Sequence, residues 1–314
     1  MQNICPGTKR DLEQSATGEL ILSTVLYATD FSSACDNAWP WALAFANNYQ
    51  SKLLLVHVIV PTIYASVPAE LLAEAREKAR REAQARLRQL QRYAGNSDEK
   101  RQVLLREGDV ADVLLSVINE YRVDLLVTAT RGRHHLQRLL LGSTAEKLFR
   151  RAPCPVLVVP ERARFGADGG DWLRRIVCPI DFSPGSPAVV AYAASLARVH
   201  GAQLIAAHVV PEAMLTGAQD SAQVSRPARD RLRQLLPEDC ALPFPAQFEV
   251  KFGRPDRAIS RIAAEYQADL VVMAVHPAKE VVAHQAERTA YRVTRWSLCP
   301  VLTIPQPAAV REQS

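Results

Sequence analysis

The chain is sparing with several kinds of residue. Aromatic residues make up 6% of its 314 positions, and glycine occurs 13 times. No apolar run is long enough to cross a bilayer, so no membrane partner is expected. The N-terminus lacks the apolar core of a secretory signal, and the expected location is cytoplasmic. The cysteines, at Cys5, Cys35, Cys154, Cys178, Cys240 and Cys299, include no C-x-x-C pair. That spacing argues against a zinc site or a redox motif and for reduced, structural thiols. His134 and His135 have no third ligand at suitable spacing, so no metal site is assigned. There is no Gly-x-x-x-x-Gly-Lys-[Ser/Thr] and no Gly-x-Ser-x-Gly, which excludes P-loop chemistry and the acyl-transfer elbow. The formal charge of +5 is modest for this length. Much of the basicity falls in 74–88, where acids and bases mix at helical spacing without an aromatic platform. That is a solvated helix face, and no nucleic-acid partner is expected.

What the chain does have is itself, twice. Glu120-Tyr121, Asp124-Leu125, Gly108 and Cys154-Pro155-Val156-Leu157 recur as Glu265-Tyr266, Asp269-Leu270, Gly253 and Cys299-Pro300-Val301-Leu302, a shift of 145 (265 − 120). Asp30-Phe31-Ser32 and His57-Val58 recur as Asp181-Phe182-Ser183 and His208-Val209, a shift of 151 (181 − 30). The second copy has therefore lost a net six residues (151 − 145) between these blocks. A period of this size is a duplicated domain. The expected domains are 20–160 and 173–306, joined by a linker at 161–172 rich in glycine and charge, with loose tails at 1–19 and 307–314.

Within each copy, short apolar runs alternate with longer amphipathic ones, the pattern of a parallel α/β sheet. Strands are expected near 24–29, 53–59, 101–106, 124–129 and 156–159, with helices near 34–48, 69–94, 110–121 and 143–151. In the second copy strands are expected near 175–180, 203–209, 247–252, 269–275 and 301–304. Pro227, Pro237, Pro243 and Pro245 restrict its second connection to a short helix over 228–236.

The segment after 124–129 carries the chemistry. Gly132, nine residues, then Gly142-Ser143-Thr144 lie between that strand and the helix Ala145–Arg150. A glycine loop ending in a helix start suits an anion: the backbone can approach a phosphate, and unpaired N–H groups point at it. Ser143 and Thr144 add hydroxyl donors.

This segment resembles the nucleotide signature of the universal stress protein family, Gly-x-x-Gly, nine residues, then Gly-[Ser/Thr]. Leu26-Tyr-Ala-Thr-Asp30-Phe-Ser32, Leu54-Leu-Val-His57-Val58 and Ala152–Val159 stand where that family has its first, second and last strands. The resemblance covers nearly the whole chain outside the tails and linker. It implies an adenine nucleotide alpha hydrolase-like fold: two open five-stranded parallel sheets flanked by helices, strand order 3-2-1-4-5, arranged as a pseudo-twofold pair. It implies ATP, with or without magnesium, or else ADP or AMP. It implies that Val58 and Thr128 flank the base and that Ala28 and Thr29 line the pocket beside it. Asp30 either accepts a hydrogen bond from the adenine amino group or a ribose hydroxyl, or caps the following helix. Ala129 replaces the family's first glycine, a mild change only if the backbone there has negative φ. Arg131 stands where the family often has His and can reach phosphate, or else is solvated surface. Gly132, Gly142, Ser143 and Thr144 hold the phosphates.

In the second copy, Gly132, Gly142 and Ser143 become Pro277, Glu287 and Arg288. Proline removes a donor, and a glutamate repels phosphate. Nucleotide is thus expected in the first copy alone. The readings carried forward are a nucleotide-binding stress or signalling module, a slow ATPase or phosphotransferase, and a ligand-free interaction scaffold. No P-loop lysine or acidic pair for magnesium supports the enzyme, so no catalytic residue is assigned. The protein partner is unknown. Val156–Val159 and residues 301–304 are short apolar edges expected to cover each other, in a chain that is monomeric or a homodimer.

Overall fold

The apolar runs become strands because both of their faces are covered by helices. In the first copy these are Thr24–Ala28 (β1), Lys52–Ile59 (β2), Arg101–Glu107 (β3), Leu125–Ala129 (β4) and Val156–Val159 (β5). Between them run helices Ser33–Asn48 (α1), Ala69–Tyr93 (α2), Val110–Tyr121 (α3) and Ser143–Arg151 (α4). The second copy repeats the order: Arg175–Ile180 (β6), Ser186–His200 (α5), Gln203–Val210 (β7), Ser221–Leu235 (α6), Gln247–Phe252 (β8), Pro255–Glu265 (α7), Leu270–Val275 (β9), Ala283–Trp296 (α8) and Val301–Pro305 (β10). The computed structural model describes residues 20–61, 69–95, 100–130, 143–166, 171–212, 221–236, 240–275 and 283–306. The tails lie outside them.

The strand order is β3-β2-β1-β4-β5-β10-β9-β6-β7-β8. Each copy therefore has the order 3-2-1-4-5. The two expected sheets are continuous, however, because β5 and β10 pair antiparallel and make one ten-stranded sheet. Val158 faces Val301, Leu157 faces Leu302 and Val156 faces Thr303. Leu157 and Leu302 are equivalent residues at the 145 shift, so the pseudo-twofold axis passes through their pair. Thr303 Oγ1 adds a 3.2 Å hydrogen bond to the carbonyl of Val156.

The repeated residues now have local reasons. Asp124 Oδ2 accepts the backbone N–H groups of Ser23 and Thr24 (2.7 and 2.8 Å), and Asp269 Oδ2 accepts those of Arg174 and Arg175 (2.8 and 2.9 Å). Each aspartate thus ties the start of the first strand of its copy to the start of the fourth. Gly108 and Gly253 sit at φ 141° and 125°, where a side chain is strained, and donate back to Ile59 and Val210. Cys154 and Cys299 are buried, and burial pushes their thiols up to about 12 and about 11, as inert packing groups.

One core runs without a break across both copies. It holds α1, α2, α5 and α6 against one face of the sheet, whereas α3 with α4 and α7 with α8 cover separate cores on the other. The linker contributes to the shared core. Phe165 and Trp172 pack on Trp41 with edge contacts of 5.1 and 5.5 Å, and Trp172 meets Phe45 and His200 at 4.9 and 4.8 Å. The Leu20 N–H reaches across to Ser195 on α5 (3.0 Å). The glycines and charges of 161–172 pointed to a polar connector, but its aromatic residues plug the junction.

The helix expected at 228–236 is instead α6, Ser221–Leu235, with Pro227 inside it. A proline this close to the helix start loses one hydrogen bond in a helix whose Leu232 is fully buried, and the packing outweighs the loss.

Two outcomes follow. Val158→Lys with Thr303→Lys places two cations in the seam, each costing several kcal/mol. The midpoint of urea unfolding should drop, and protease should cut within 161–172; wild-type resistance would contradict the seam. The second concerns His200, whose imidazole burial pushes down to about 4 from 6.5. Between those values the unfolded chain binds a proton that the folded one refuses, so stability falls as pH drops through this window and levels off below it. Relative to His200→Phe, the wild type should lose roughly 2–3 kcal/mol more on going from pH 7 to 4. Parallel urea-unfolding profiles for the two proteins would exclude a buried neutral imidazole.

Candidate functional site

The site expected from the sequence lies where neighbouring strands part company. β1 pairs with β4 only as far as Tyr27 opposite Val127. Beyond that point β1 continues beside β2, with Ala28 opposite Val56, and β4 beside β5, with Ala129 opposite Val159. A crevice at the carboxyl ends of strands, at the point where the strand order reverses, is where open α/β sheets bind ligands. Ala28, Thr29 and Asp30 stand on one lip, Thr128 and Ala129 on the other, and Val58 is the penultimate residue of the neighbouring strand. Ala28, Val58 and Ala129 are buried, and Asp30 and Thr128 are half-buried. Ala129 is absent from the positive-φ residues of this backbone, so its methyl group imposes no strain.

Asp30 is held in a tight turn. Its Oδ1 accepts the backbone N–H of Ser32 (3.0 Å) and the thiol of Cys35 (3.1 Å). Burial, then the Asp30 charge, pushes the Cys35 thiol up to about 11, so it stays protonated and donates at neutral pH. The helix cap belongs to Ser32, whose hydroxyl accepts the N–H of Cys35 (3.4 Å). Capping was one of the two roles open to Asp30, and Ser32 performs it. Thr29 is buried, and its hydroxyl accepts the N–H of Phe31 (2.9 Å). It supports the turn rather than presenting a free hydroxyl to the crevice.

Three residues shape this turn that the sequence reading did not assign to the site. Phe31 sits at φ 60°, a left-handed conformation costly for an aromatic residue. Its ring lies 4.4 Å from that of His57, and the guanidinium of Arg86 covers it at 5.4 Å. His57 Nδ1 is 2.7 Å from the carbonyl of Thr29 and donates to it. The second copy builds the same device from Phe182 at φ 60°, His208 and Arg231, with ring and cation distances of 4.3 and 4.3 Å. The histidines are thus structural strand-end residues. The signal was present in the repeat: Phe and His recur at one shift and Arg86 with Arg231 at the other.

The phosphate end is described in part. Arg131, Gly132 and Gly142 lie outside the described residues. Ser143 is the first residue of α4, and Thr144, half-buried, the second. In the second copy, Pro277 lies outside the described residues, but Glu287 and Arg288 lie within α8. That helix starts at Ala283, whereas Ser143 projects onto Arg288 at the 145 shift. In the second copy that position is therefore preceded by helix, and no helix start lies at Arg288. The crevice differs as well. β6 and β9 share only the pairs Ile176–Leu270 and Val177–Val271, and Ala28, Thr29 and Thr128 are replaced by Pro179, Ile180 and Met273.

Comparison with known proteins follows the same division. A universal stress protein of Methanocaldococcus jannaschii is 29% identical over 143 residues, covering 45% of this chain and 84% of that protein. One from Thermus aquaticus is 33% identical over 141 residues, 44% of this chain and 99% of that protein. The crystal structure of a universal stress protein from Archaeoglobus fulgidus matches at a TM-score of 0.66 and 20% identity, over 90% of this chain and 96% of that one, and shares its fold. The model of the universal stress protein family matches twice, over residues 22–160 and 173–305, and the chain belongs to that family.

Proposed function

We propose that this universal stress protein binds one adenine nucleotide per chain, in the first copy, as a stress-response or signalling module. The observation that carries the reading is the contrast between the copies at one place. The first copy parts β1 from β4 beside a pinned carboxylate, and its sequence carries Gly142-Ser143 where α4 is first described. The second has Glu287 and Arg288 at the equivalent positions, within α8 and preceded by helix.

In this reading the base lies between Val58 and Thr128, with Ala28 and Thr29 behind it. Asp30 accepts from the adenine amino group or a ribose hydroxyl, and Cys35 and Ser32 keep its carboxylate oriented. The phosphates lie at the start of α4, where unpaired N–H groups and the helix dipole favour negative charge. Gly132, Gly142, Ser143 and Thr144 surround them, with Arg131 as a charge-assisted donor. A magnesium ion accompanying ATP would offset part of the phosphate charge.

Titration of the full chain with ATP should give one site. Gly142→Glu copies the second copy's own substitution, so the fold should survive while binding falls at least a hundredfold, about 3 kcal/mol of lost phosphate contacts. Asp30→Asn should weaken ATP and adenosine alike by roughly tenfold, since it acts at the nucleoside end. Two sites per chain, or wild-type affinity in the Gly142→Glu protein, would refute the assignment.

A further inference from the structure

The two copies also differ on the outer face of the sheet, where two helices pack side by side. In the first copy, α3 and α4 are joined by two ion pairs, Asp109 with Lys147 (3.2 Å) and Asp112 with Arg151 (2.7 Å). At the 145 shift these positions hold Arg254 with Arg292 and Arg257 with Trp296. Both acids have become arginine, and one of the bases has become tryptophan. Arg254 turns to Asp256 in its own helix (3.0 Å). The guanidinium groups of Arg257 and Arg295 lie over the Trp296 ring at 5.0 and 4.9 Å. Among the described residues, Arg257, Arg261, Arg292 and Arg295 have no carboxylate partner, and Arg295 Nε is buried without a hydrogen bond.

The apolar groups at this place are open to solvent. Trp296 is 43% exposed and Leu298, in place of Pro153, is 59% exposed. Leu298 also lines a groove of about 380 Å³ whose charged residues are Arg164, Arg174 and Arg175 with Asp171 and Asp269, so the basic excess lies with the arginines of α7 and α8. Clustered arginines repel one another, and stacking on Trp296 leaves the charges of Arg257 and Arg295 unneutralised. Tryptophan and arginine are also the residues that most often carry binding energy at interfaces.

We propose that the face formed by α7, α8 and Leu298 is a docking surface for an acidic segment of a partner protein bearing apolar side chains. Carboxylates of the segment meet Arg257, Arg261 and Arg295, and its apolar groups cover Trp296 and Leu298. Charge complementarity selects this occupant. A second copy of the chain, with net charge +5, is a poor match for a basic face. A nucleic acid would need a run of open aromatic faces, and here one indole lies beneath two guanidinium groups.

The test uses the full chain and a fluorescein-labelled peptide of glutamates interrupted by leucines, followed by fluorescence anisotropy. Saturable binding is expected, weakening as salt rises and when the leucines are replaced by serine. Arg257→Asp with Trp296→Arg recreates the ion pair of the first copy, so the fold should hold while affinity drops roughly tenfold or more. Leu298→Ser, at an exposed position, should weaken binding severalfold and serves if the double variant does not fold. Absence of saturable binding, or unchanged affinity in these variants, would overturn the proposal. So would tighter binding of an oligo-dT strand, or a wild-type dimer in sedimentation that the double variant dissolves.

Discussion

The rest of the molecule depends on one contact, the antiparallel meeting of β5 and β10 with Leu157 facing Leu302. Each copy alone would end in a short, largely apolar strand with a row of unpaired backbone groups, a template for unwanted pairing. Joined, the two edges cancel, and a twofold relation between the copies follows from the register. The shared core on one face is a consequence. Once the edges meet, α1 and α5 come side by side, and the space between them is filled by Trp41, Phe45, Phe165, Trp172 and His200. The outer face receives no such filling, so α3 with α4 and α7 with α8 keep separate cores. Those two helix pairs were free to diverge in surface chemistry.

Duplication separates what the fold requires from what a ligand requires. Both copies keep the Asp-Phe-Ser turn, with its left-handed phenylalanine stacked on a strand-end histidine beneath an arginine. A strained aromatic residue held in place twice by the same neighbours is part of the scaffold. The partner of the aspartate differs only in its donor atom: Cys35 in the first copy, Ser186 in the second. The features that vary are the residues after the fourth strand, Gly142 and Ser143 against Glu287 and Arg288, and those of the crevice, Ala28, Thr29 and Thr128 against Pro179, Ile180 and Met273. Variation at the mouth of the crevice fits a second copy retained for its edge strand.

Much of this was legible in the residues. Parallel strands buried on both faces read as unbroken apolar runs, and Val156–Val159 and the run from Val301 stood out for that reason. The duplication exposed the aspartates and glycines that set strand starts and turns, because they recur in step. Less legible was anything decided by tertiary contact. Asp30 and Ser32 both have the chemistry of a cap, and only the point where α1 begins, at Ser33, chooses Ser32. Pro227 argued for a late helix start, yet Leu232 packs strongly enough to carry the helix across it. The aromatic residues of 161–172 were outnumbered by glycine and charge, so composition hid their burial.

The seam also fixes a timetable for synthesis. β5 ends at Val159, but its partner begins at Val301, the last strand of the chain. At ribosomal speeds of about 5–20 residues per second, the intervening stretch takes roughly seven to thirty seconds to emerge. Throughout that interval the folded first copy carries a bare apolar edge of the same shape as that of every other nascent chain on the same message. Two such chains can close on each other, β5 against β5, before either finishes. A protein that joins its halves within one chain thus passes, during each round of translation, through the open-edged state that the finished sheet removes.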